Sequence, residues 1–348
     1  MRRLIIVLAL AVVAMPAGVR AQDVTERVRN VVRRNVERLE RVHYQRGREE
    51  QTERFTKTVK IGPTGEIELA NIAGDIVIAR GGGNDAVIEV VKTSRGSSVE
   101  DAREMLQMVN VNVIERPGRA EVRTQYPRGD SWTRNDRRNI NVSVAFNVTA
   151  PAGARVTVKS VSGGIKVTGI KGDLMLESVS GSLMIADAGR VAHAKSVSGN
   201  VEIADTTIEG PLDAGSVSGS VIVRRVKARR LDLGSVSGSV KLEDLECERV
   251  SVQSVSGDVH FQGPLARSGR YELKSHSGEV RVAIAGGAGF ELEANSFSGN
   301  VRSDFPITIQ GDVGRRGPRQ RALHGVYGDG SAVLDLTTFS GSIVIMKR

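Results

Sequence analysis

One tetrapeptide, Ser-Val-Ser-Gly or a close variant, recurs nine times in the last 190 residues or so of the chain. Six identical copies begin at Ser160, Ser178, Ser196, Ser216, Ser235 and Ser254, and three variants begin at Ser275, Ser296 and Thr338. Successive copies start 18 to 21 residues apart, except for a final gap of 42 residues. A fixed period of about 20 residues indicates one supersecondary unit stacked many times. The repeat therefore constrains the architecture strongly and the activity weakly.

Apolar residues alternate along the chain on both sides of each tetrad, which is typical of β-strands. Leu231 and Leu233 share one parity whereas Val236 and Val240 share the other, so the phase slips inside the tetrad. In a straight strand such a slip would turn half of the side chains to the opposite face. Both sets can point inward only if the chain turns a corner there. We therefore expect the first serine at a corner, the valine in the core and the glycine at a tight bend.

The tetrad glycines are predicted to be structural, because a tight bend requires either a positive φ or close stacking against neighbouring rungs. The serine hydroxyls are expected to bond to the adjacent rung or to the local backbone. The glycines concerned are Gly163, Gly181, Gly199, Gly219, Gly238, Gly257, Gly278, Gly299 and Gly341.

The predicted fold is mainly β, a parallel β-helix or solenoid of about ten short rungs spaced about 4.8 Å apart. Residues 55–150 form its N-terminal β-rich part and residues 151–348 its repeat array. Asn71–Gly74 is interpreted as a degenerate tetrad, and the final double period as a rung with a loop inserted between Gly311 and Gly330. A stack of antiparallel hairpins is the competing geometry, which the short regular period disfavours.

Two segments depart from the strand pattern. Ala102, Met105 and Leu106 follow Ser98 with helical spacing, which predicts one short internal helix. Residues 22–54 carry valines and leucines at three- and four-residue spacing on a charged background. They predict an N-terminal amphipathic helix that packs on the domain or leads into it, with a short coiled coil or a membrane-surface helix as the alternative.

Residues 1–21 have the features of a secretory signal peptide: a charged start, a short apolar run and small residues before the expected cleavage site. The apolar run is too short for an ordinary membrane-spanning helix, and no later stretch is long and apolar enough. An uncleaved anchor is the alternative. The sequence thus predicts an exported protein that is periplasmic, surface-attached or secreted. Its single cysteine, Cys247, cannot form an internal disulfide, so strand pairing and a core must stabilise it.

The formal net charge is +9 for the whole chain and +6 without the arginines of residues 1–21, so the protein is mildly basic and would tolerate anionic partners such as acidic glycans or an envelope surface. Another protein is a further candidate partner, and any glycan binding of this kind should weaken with salt. Nucleic acid is not expected, because the basic segments lack interleaved aromatic residues. The arginines that form the candidate anion-binding patch are Arg224, Arg225, Arg229, Arg230, Arg315, Arg316, Arg319 and Arg321.

No residue pattern predicts a catalytic centre, a metal site or a cofactor. Asp187 and Asp205 are 18 residues apart and would stack in adjacent rungs, with Asp244 less well placed; we interpret all three as solvated turn residues. The five histidines lack the spacing of metal ligands. His276 occupies the valine position of its tetrad, and we expect a packed imidazole bonded to a neighbouring serine or carbonyl.

The tetrads with their flanking strands, the signal peptide and the Gly74–Ile78 segment resemble the bacterial adhesin-like β-solenoid family known as DUF4097, over roughly Phe55 to Met346. The resemblance implies a parallel β-helix-like fold in an exported or envelope protein, and it carries over no catalytic residues. The leading hypothesis is a non-enzymatic adhesin-like structural or binding module. A carbohydrate-active enzyme on the same scaffold and a self-assembling envelope scaffold are the alternatives.

Overall fold

The computed structural model describes residues 49–127, 140–308 and 321–348. In these ranges the chain has one α-helix, α1 (Val99–Met108), and 24 β-strands that hydrogen bonds join into one sheet. The strands are β1 (Glu49–Lys60), β2 (Glu66–Ala73), β3 (Ile76–Arg80), β4 (Asp85–Gly96), β5 (Asn110–Arg116), β6 (Arg119–Gln125), β7 (Val142–Ala150), β8 (Arg155–Ser162), β9 (Ile165–Thr168), β10 (Asp173–Ser178), β11 (Leu183–Ala186), β12 (Arg190–Ser196), β13 (Val201–Ser216), β14 (Val221–Ser235), β15 (Val240–Glu243), β16 (Glu246–Ser254), β17 (Val259–Pro264), β18 (Arg270–Ser275), β19 (Val280–Ala285), β20 (Phe290–Ser296), β21 (Val301–Ser303), β22 (Ala322–Tyr327), β23 (Ala332–Thr338) and β24 (Ile343–Lys347).

Each tetrad joins two strands that lie on different faces of a coil. The strand before the tetrad pairs in parallel with its counterparts in neighbouring rungs, as β8, β10 and β12 do. The strand after it does the same, as β9, β11 and β13 do. Ser160 lies opposite Ser178, and Ser178 opposite Ser196, so the tetrads stack in register. This parallel pairing confirms the solenoid-like coil and excludes the hairpin stack.

Alternation along the strands places valine, isoleucine and leucine side chains between the two faces of the coil, where they form one continuous core. Most of these side chains are aliphatic and β-branched, which suits stacked strands with a short rung spacing. Within the described ranges, no helix is long and apolar enough to cross a membrane.

Antiparallel elements close the N-terminal end of the coil. The β5–β6 hairpin extends one face through β2, and β7, β4 and β1 extend the other. Helix α1 packs against β4 and β1 with Ala102, Met105 and Leu106 buried, and the Ser98 hydroxyl accepts a hydrogen bond from the Asp101 amide at its start. The predicted internal helix and the degenerate tetrad are both confirmed, since Asn71 lies opposite Ser160.

The predicted N-terminal helix over residues 22–54 is wrong at its end. Residues 49–54 belong to β1, which pairs with β4 along its whole length. Pairing with a neighbouring strand therefore outweighs the local helical spacing there. The rest of that prediction, and the signal peptide at residues 1–21, lie outside the described residues.

The last two tetrads do not stack in chain order, a feature that the predicted solenoid of about ten short rungs did not include. Strand β23 lies between β18 and β20, and β24 lies between β19 and β21. The expected inserted loop is also partly regular, because β22 pairs antiparallel with β20. Sequence spacing alone cannot reveal this order, because a strand with the right length and alternation fits either neighbour.

Candidate functional site

The corner at each tetrad is built by its first serine and its glycine. The buried Ser196 hydroxyl donates to the Gly181 carbonyl of the neighbouring rung at 2.9 Å and accepts from the Gly199 amide at 2.9 Å. Thr338 donates to the Gly278 carbonyl at 2.9 Å in the same way. The expectation that these hydroxyls bond to the backbone and to the next rung is confirmed.

Close stacking, and not a positive φ, explains the tetrad glycines. A Cβ atom built on Gly199 would lie 2.0 Å from the Gly181 carbonyl oxygen, and one on Gly238 would lie 2.0 Å from that of Gly219. Of the nine tetrad glycines, only Gly163 has a positive φ, of 116°. The bare glycine therefore lets successive rungs approach each other to normal strand spacing.

The tetrad valines are exposed, so the prediction that they plug the core is wrong. Val197 is 45 % exposed, and the other tetrad valines are similar. The first serine and the glycine both point inward, which leaves the two residues between them on the outside of the corner. We call the resulting column the valine ladder; along the coil it consists of Ile72, Val161, Val179, Val197, Val217, Val236, Val255, His276, Phe339 and Phe297.

An aromatic stack forms one end of the valine ladder. The rings of His276 and Phe339 lie 4.9 Å apart at 8°, and those of Phe339 and Phe297 lie 4.6 Å apart at 5°. His276 is therefore an exposed, stacked ring, not the packed and hydrogen-bonded imidazole that we expected. The stack depends on the out-of-order rung, because β23 brings Phe339 between the other two rings.

The valine ladder forms one wall of a groove of 1590 Å³. The outward side chains of the strands that precede the tetrads form most of the rest, and Thr124 and Arg321 also line the groove. Lys159 pairs with Glu177 at 3.3 Å, and Asp213 contacts both Lys195 at 2.8 Å and His193 at 3.2 Å. The groove thus combines an apolar wall with charges that are largely compensated by each other.

The sequence-predicted arginine patch divides into separate places. Arg224 contacts Glu202 at 3.0 Å, and Arg230 contacts Asp232 at 2.7 Å. Arg225 donates two hydrogen bonds to Asp205 and holds the pKa of that carboxyl below its usual value. Two further members of the described part are Arg229, beside a second cavity, and Arg321, in the groove. Arg315, Arg316 and Arg319 lie outside the described residues.

The aspartates considered as candidate catalytic groups occupy a second corner of the coil. Asp187, Asp205 and Asp244 have φ values of 52°, 51° and 53°, a left-handed conformation that aspartate tolerates better than most residues. Each carboxylate pairs with a cation, as Asp187 does with Lys171 at 2.5 Å. Backbone geometry therefore accounts for these residues as turn positions.

A second cavity of 830 Å³ lies beside the return links and includes the buried Cys247. The thiol donates to the Arg249 carbonyl at 3.1 Å, and burial raises its pKa. Across the described ranges, no group of three or more histidine, cysteine, aspartate or glutamate side chains is arranged to hold a metal ion.

Sequence reasoning missed the groove because it assigned the tetrad valines to the core. One signal was available, since the same position holds His276 in the seventh tetrad. A column that accepts valine, phenylalanine and histidine is better explained by partial exposure than by a sealed interior.

Comparisons with known proteins match the chain along most of its length. The family profile described as Toastrack DUF4097 matches residues 66–346. Among solved structures, a candidate adhesin from Bacteroides fragilis is 14% identical, covers 84% of this chain and 97% of its own, and gives a TM-score of 0.41. A candidate lipid-binding protein from Parabacteroides distasonis is 15% identical, covers 85% of this chain and 96% of its own, and gives 0.36. Among curated proteins, none matches.

Proposed function

The chain belongs to the Toastrack DUF4097 family, and from that premise we propose that it is a non-catalytic, adhesin-like module that binds a partner of the cell envelope. Its solenoid of about ten rungs acts as a rigid support, and the groove along the valine ladder is the binding surface. Export through the N-terminal leader is part of the proposal, because an envelope partner is reached only outside the cytoplasm.

The concentration of exposed apolar side chains in one column carries this proposal. Nine of the fourteen exposed large hydrophobic residues in the described ranges belong to the valine ladder. A contiguous apolar surface of this kind marks an interaction site more often than chance exposure does. The rung-to-rung hydrogen bonds of the serines keep its spacing constant, so little ordering entropy is lost when a partner binds.

A binding assay with matched variants tests the proposal. Val217→Asp places a charge in the groove, whereas Val77→Asp does so on the outward face of β3; the wild-type side chains are 44% and 37% exposed. We expect Val217→Asp to weaken binding to isolated bacterial envelope fractions at least tenfold and Val77→Asp to leave it unchanged. Thermal unfolding of both variants checks that the fold is retained.

Equal binding by the two variants would show that the groove is not the binding surface. Cell fractionation tests the export step separately, with the full chain expressed behind its own leader. A protein that stays in the cytoplasmic fraction would overturn that step.

One face of the C-terminal end bears on the self-assembly alternative. The apolar C-terminal residues Val344 to Met346 would favour assembly if they formed an unpaired edge strand, but β24 is paired on both sides. In the described residues the outermost strand of that face is β21, which has only three residues. Short edge strands discourage pairing between molecules.

A further inference from the structure

We propose that the groove binds a fatty acid, with its aliphatic chain along the valine ladder and its carboxylate at Arg321. This inference rests on the proposed function and names the ligand class of the same site. Three observations lead to it: the chemistry of the wall, the glycine floor beside it and, among the described residues, one lysine or arginine of the groove that has no carboxylate partner.

The wall favours an aliphatic chain over a peptide or a glycan. From Arg321 the valine ladder passes the three rings and Val255 before it reaches Val236, which lies five strand spacings or about 24 Å away. Four more valines follow in register back to Val161. Their backbone groups are already used between rungs; for example, the Val197 amide donates to the Ser178 carbonyl at 3.0 Å. A peptide therefore finds no free strand edge to extend. Sugar hydroxyls that faced the valines would lose hydrogen bonds to water without replacement.

At two successive rungs the floor of the groove is formed by glycines and carries no side chain. Gly215 and Gly234 face outward on their strands beside Val217 and Val236. A Cβ atom on Gly234 would lie 3.7 Å from the Gln253 carbonyl oxygen, an ordinary contact, and its φ is not positive. The fold thus does not need a glycine there. A glycine inside a strand often marks a place where a ligand approaches the backbone closely.

The charges of the groove fit one anionic group at its aromatic end. Lys159 and Lys195 are paired with carboxylates, as is Lys274 with Glu272. Arg321 is exposed, and no carboxylate of the described residues lies within ion-pair distance of it. The backbone carbonyl of Arg321 accepts a hydrogen bond from the Ser296 amide at 2.7 Å, so Arg321 lies next to the rung that contains Phe297. One uncompensated guanidinium suits a single carboxylate, whereas a polyanion would need several.

Calorimetric titration with dodecanoate, below its micelle concentration, tests this inference on the chain without residues 1–21. We expect saturable one-to-one binding. Gly234→Leu fills the floor and should weaken binding at least tenfold. Gly82→Leu, at an exposed turn where a Cβ atom meets nothing within 4 Å, is the matched control and should bind like the wild type. Arg321→Gln should weaken dodecanoate binding about tenfold and leave binding of the uncharged dodecan-1-ol unchanged.

The possible results separate the two proposals. Absence of dodecanoate binding, or equal binding by Gly234→Leu and Gly82→Leu, would overturn the fatty acid as ligand. An equal preference for acid and alcohol in the wild type would overturn the assignment of Arg321. If dodecanoate fails while Val217→Asp still abolishes envelope binding, the groove remains the binding surface and only the ligand class is wrong. If neither effect is seen, both proposals fall.

Discussion

The stacked glycines lead to the sharpest prediction about stability, because their Cβ positions are occupied by backbone atoms. In Gly199→Ala the new methyl group would lie 2.0 Å from the Gly181 carbonyl oxygen and 2.7 Å from the Ser182 nitrogen. Ordinary contact begins at 3.4 Å, so the rungs must separate locally by about 1.4 Å. No side chain can move aside to relieve this contact, because both obstructing atoms belong to the backbone.

The loss of stability in Gly199→Ala follows from the hydrogen bonds that join the same two rungs. The Val197 and Ser198 amides donate to the neighbouring rung at 3.0 and 2.8 Å, and the Ser196 hydroxyl does so at 2.9 Å. A separation of about 1.4 Å takes all three beyond hydrogen-bond distance. At about 1 kcal/mol each, their loss costs about 3 kcal/mol. The lower flexibility of alanine in the unfolded chain returns about 0.4–1 kcal/mol. We therefore expect a net destabilisation of about 2–3 kcal/mol.

Urea denaturation followed by circular dichroism measures this effect, with Gly234→Ala as the control. The alanine methyl at position 234 meets its nearest atom at 3.7 Å, so that variant should be as stable as the wild type or slightly more stable. An unchanged m-value shows that the midpoint shift reports stability. If Gly199→Ala stays within about 0.5 kcal/mol of the wild type, the steric explanation of the tetrad glycines is refuted.

Two further predictions concern the corner serine Ser196 and His260, a half-buried residue of β17. Ser196→Ala leaves the buried Gly199 amide without its acceptor and should cost about 2 kcal/mol, whereas Ser196→Thr should be nearly neutral; equal urea midpoints for the two would contradict this role. Partial burial lowers the pKa of His260 from its usual 6.5, and the positive charge of Arg281 lowers it further. The neutral imidazole therefore favours the folded state: its full contribution to stability is present above pH 6.5 and is lost as the pH falls through the pKa of the folded protein. An NMR titration should therefore find its midpoint below 6.5, and Arg281→Gln should raise it; a midpoint at or above 6.5 would count against this explanation.

The architecture could be predicted because each tetrad contains the residues that a corner of the coil requires. Each rung needs a small polar residue to bond across the corner and a residue without Cβ where rungs touch, as Ser196 and Gly199 show. These requirements repeat with the rung and so are visible as a period. The direction of Val197 was predicted wrongly, because parity alone does not tell a core residue from the outer residue of a turn.

The aromatic end of the groove could not be predicted, because its members come from rungs that are not neighbours in chain order. Phe339 lies between His276 and Phe297 only because β23 pairs with both β18 and β20. Arg321 reaches the same end through β22, which pairs antiparallel with β20. A strand with suitable alternation satisfies several positions in a parallel stack, so the choice depends on contacts along the whole chain.

The sequence by itself determined a coil of parallel strands with a corner at each tetrad, because hydrogen bonding and steric contact between rungs recur every 18 to 21 residues. Only the tertiary structure decided which side of each corner faces water and in which order the last rungs stack. Both depend on where neighbouring rungs leave space. That packing turned the tetrad valines outward, aligned them into one apolar wall and brought three rings and an arginine to its end.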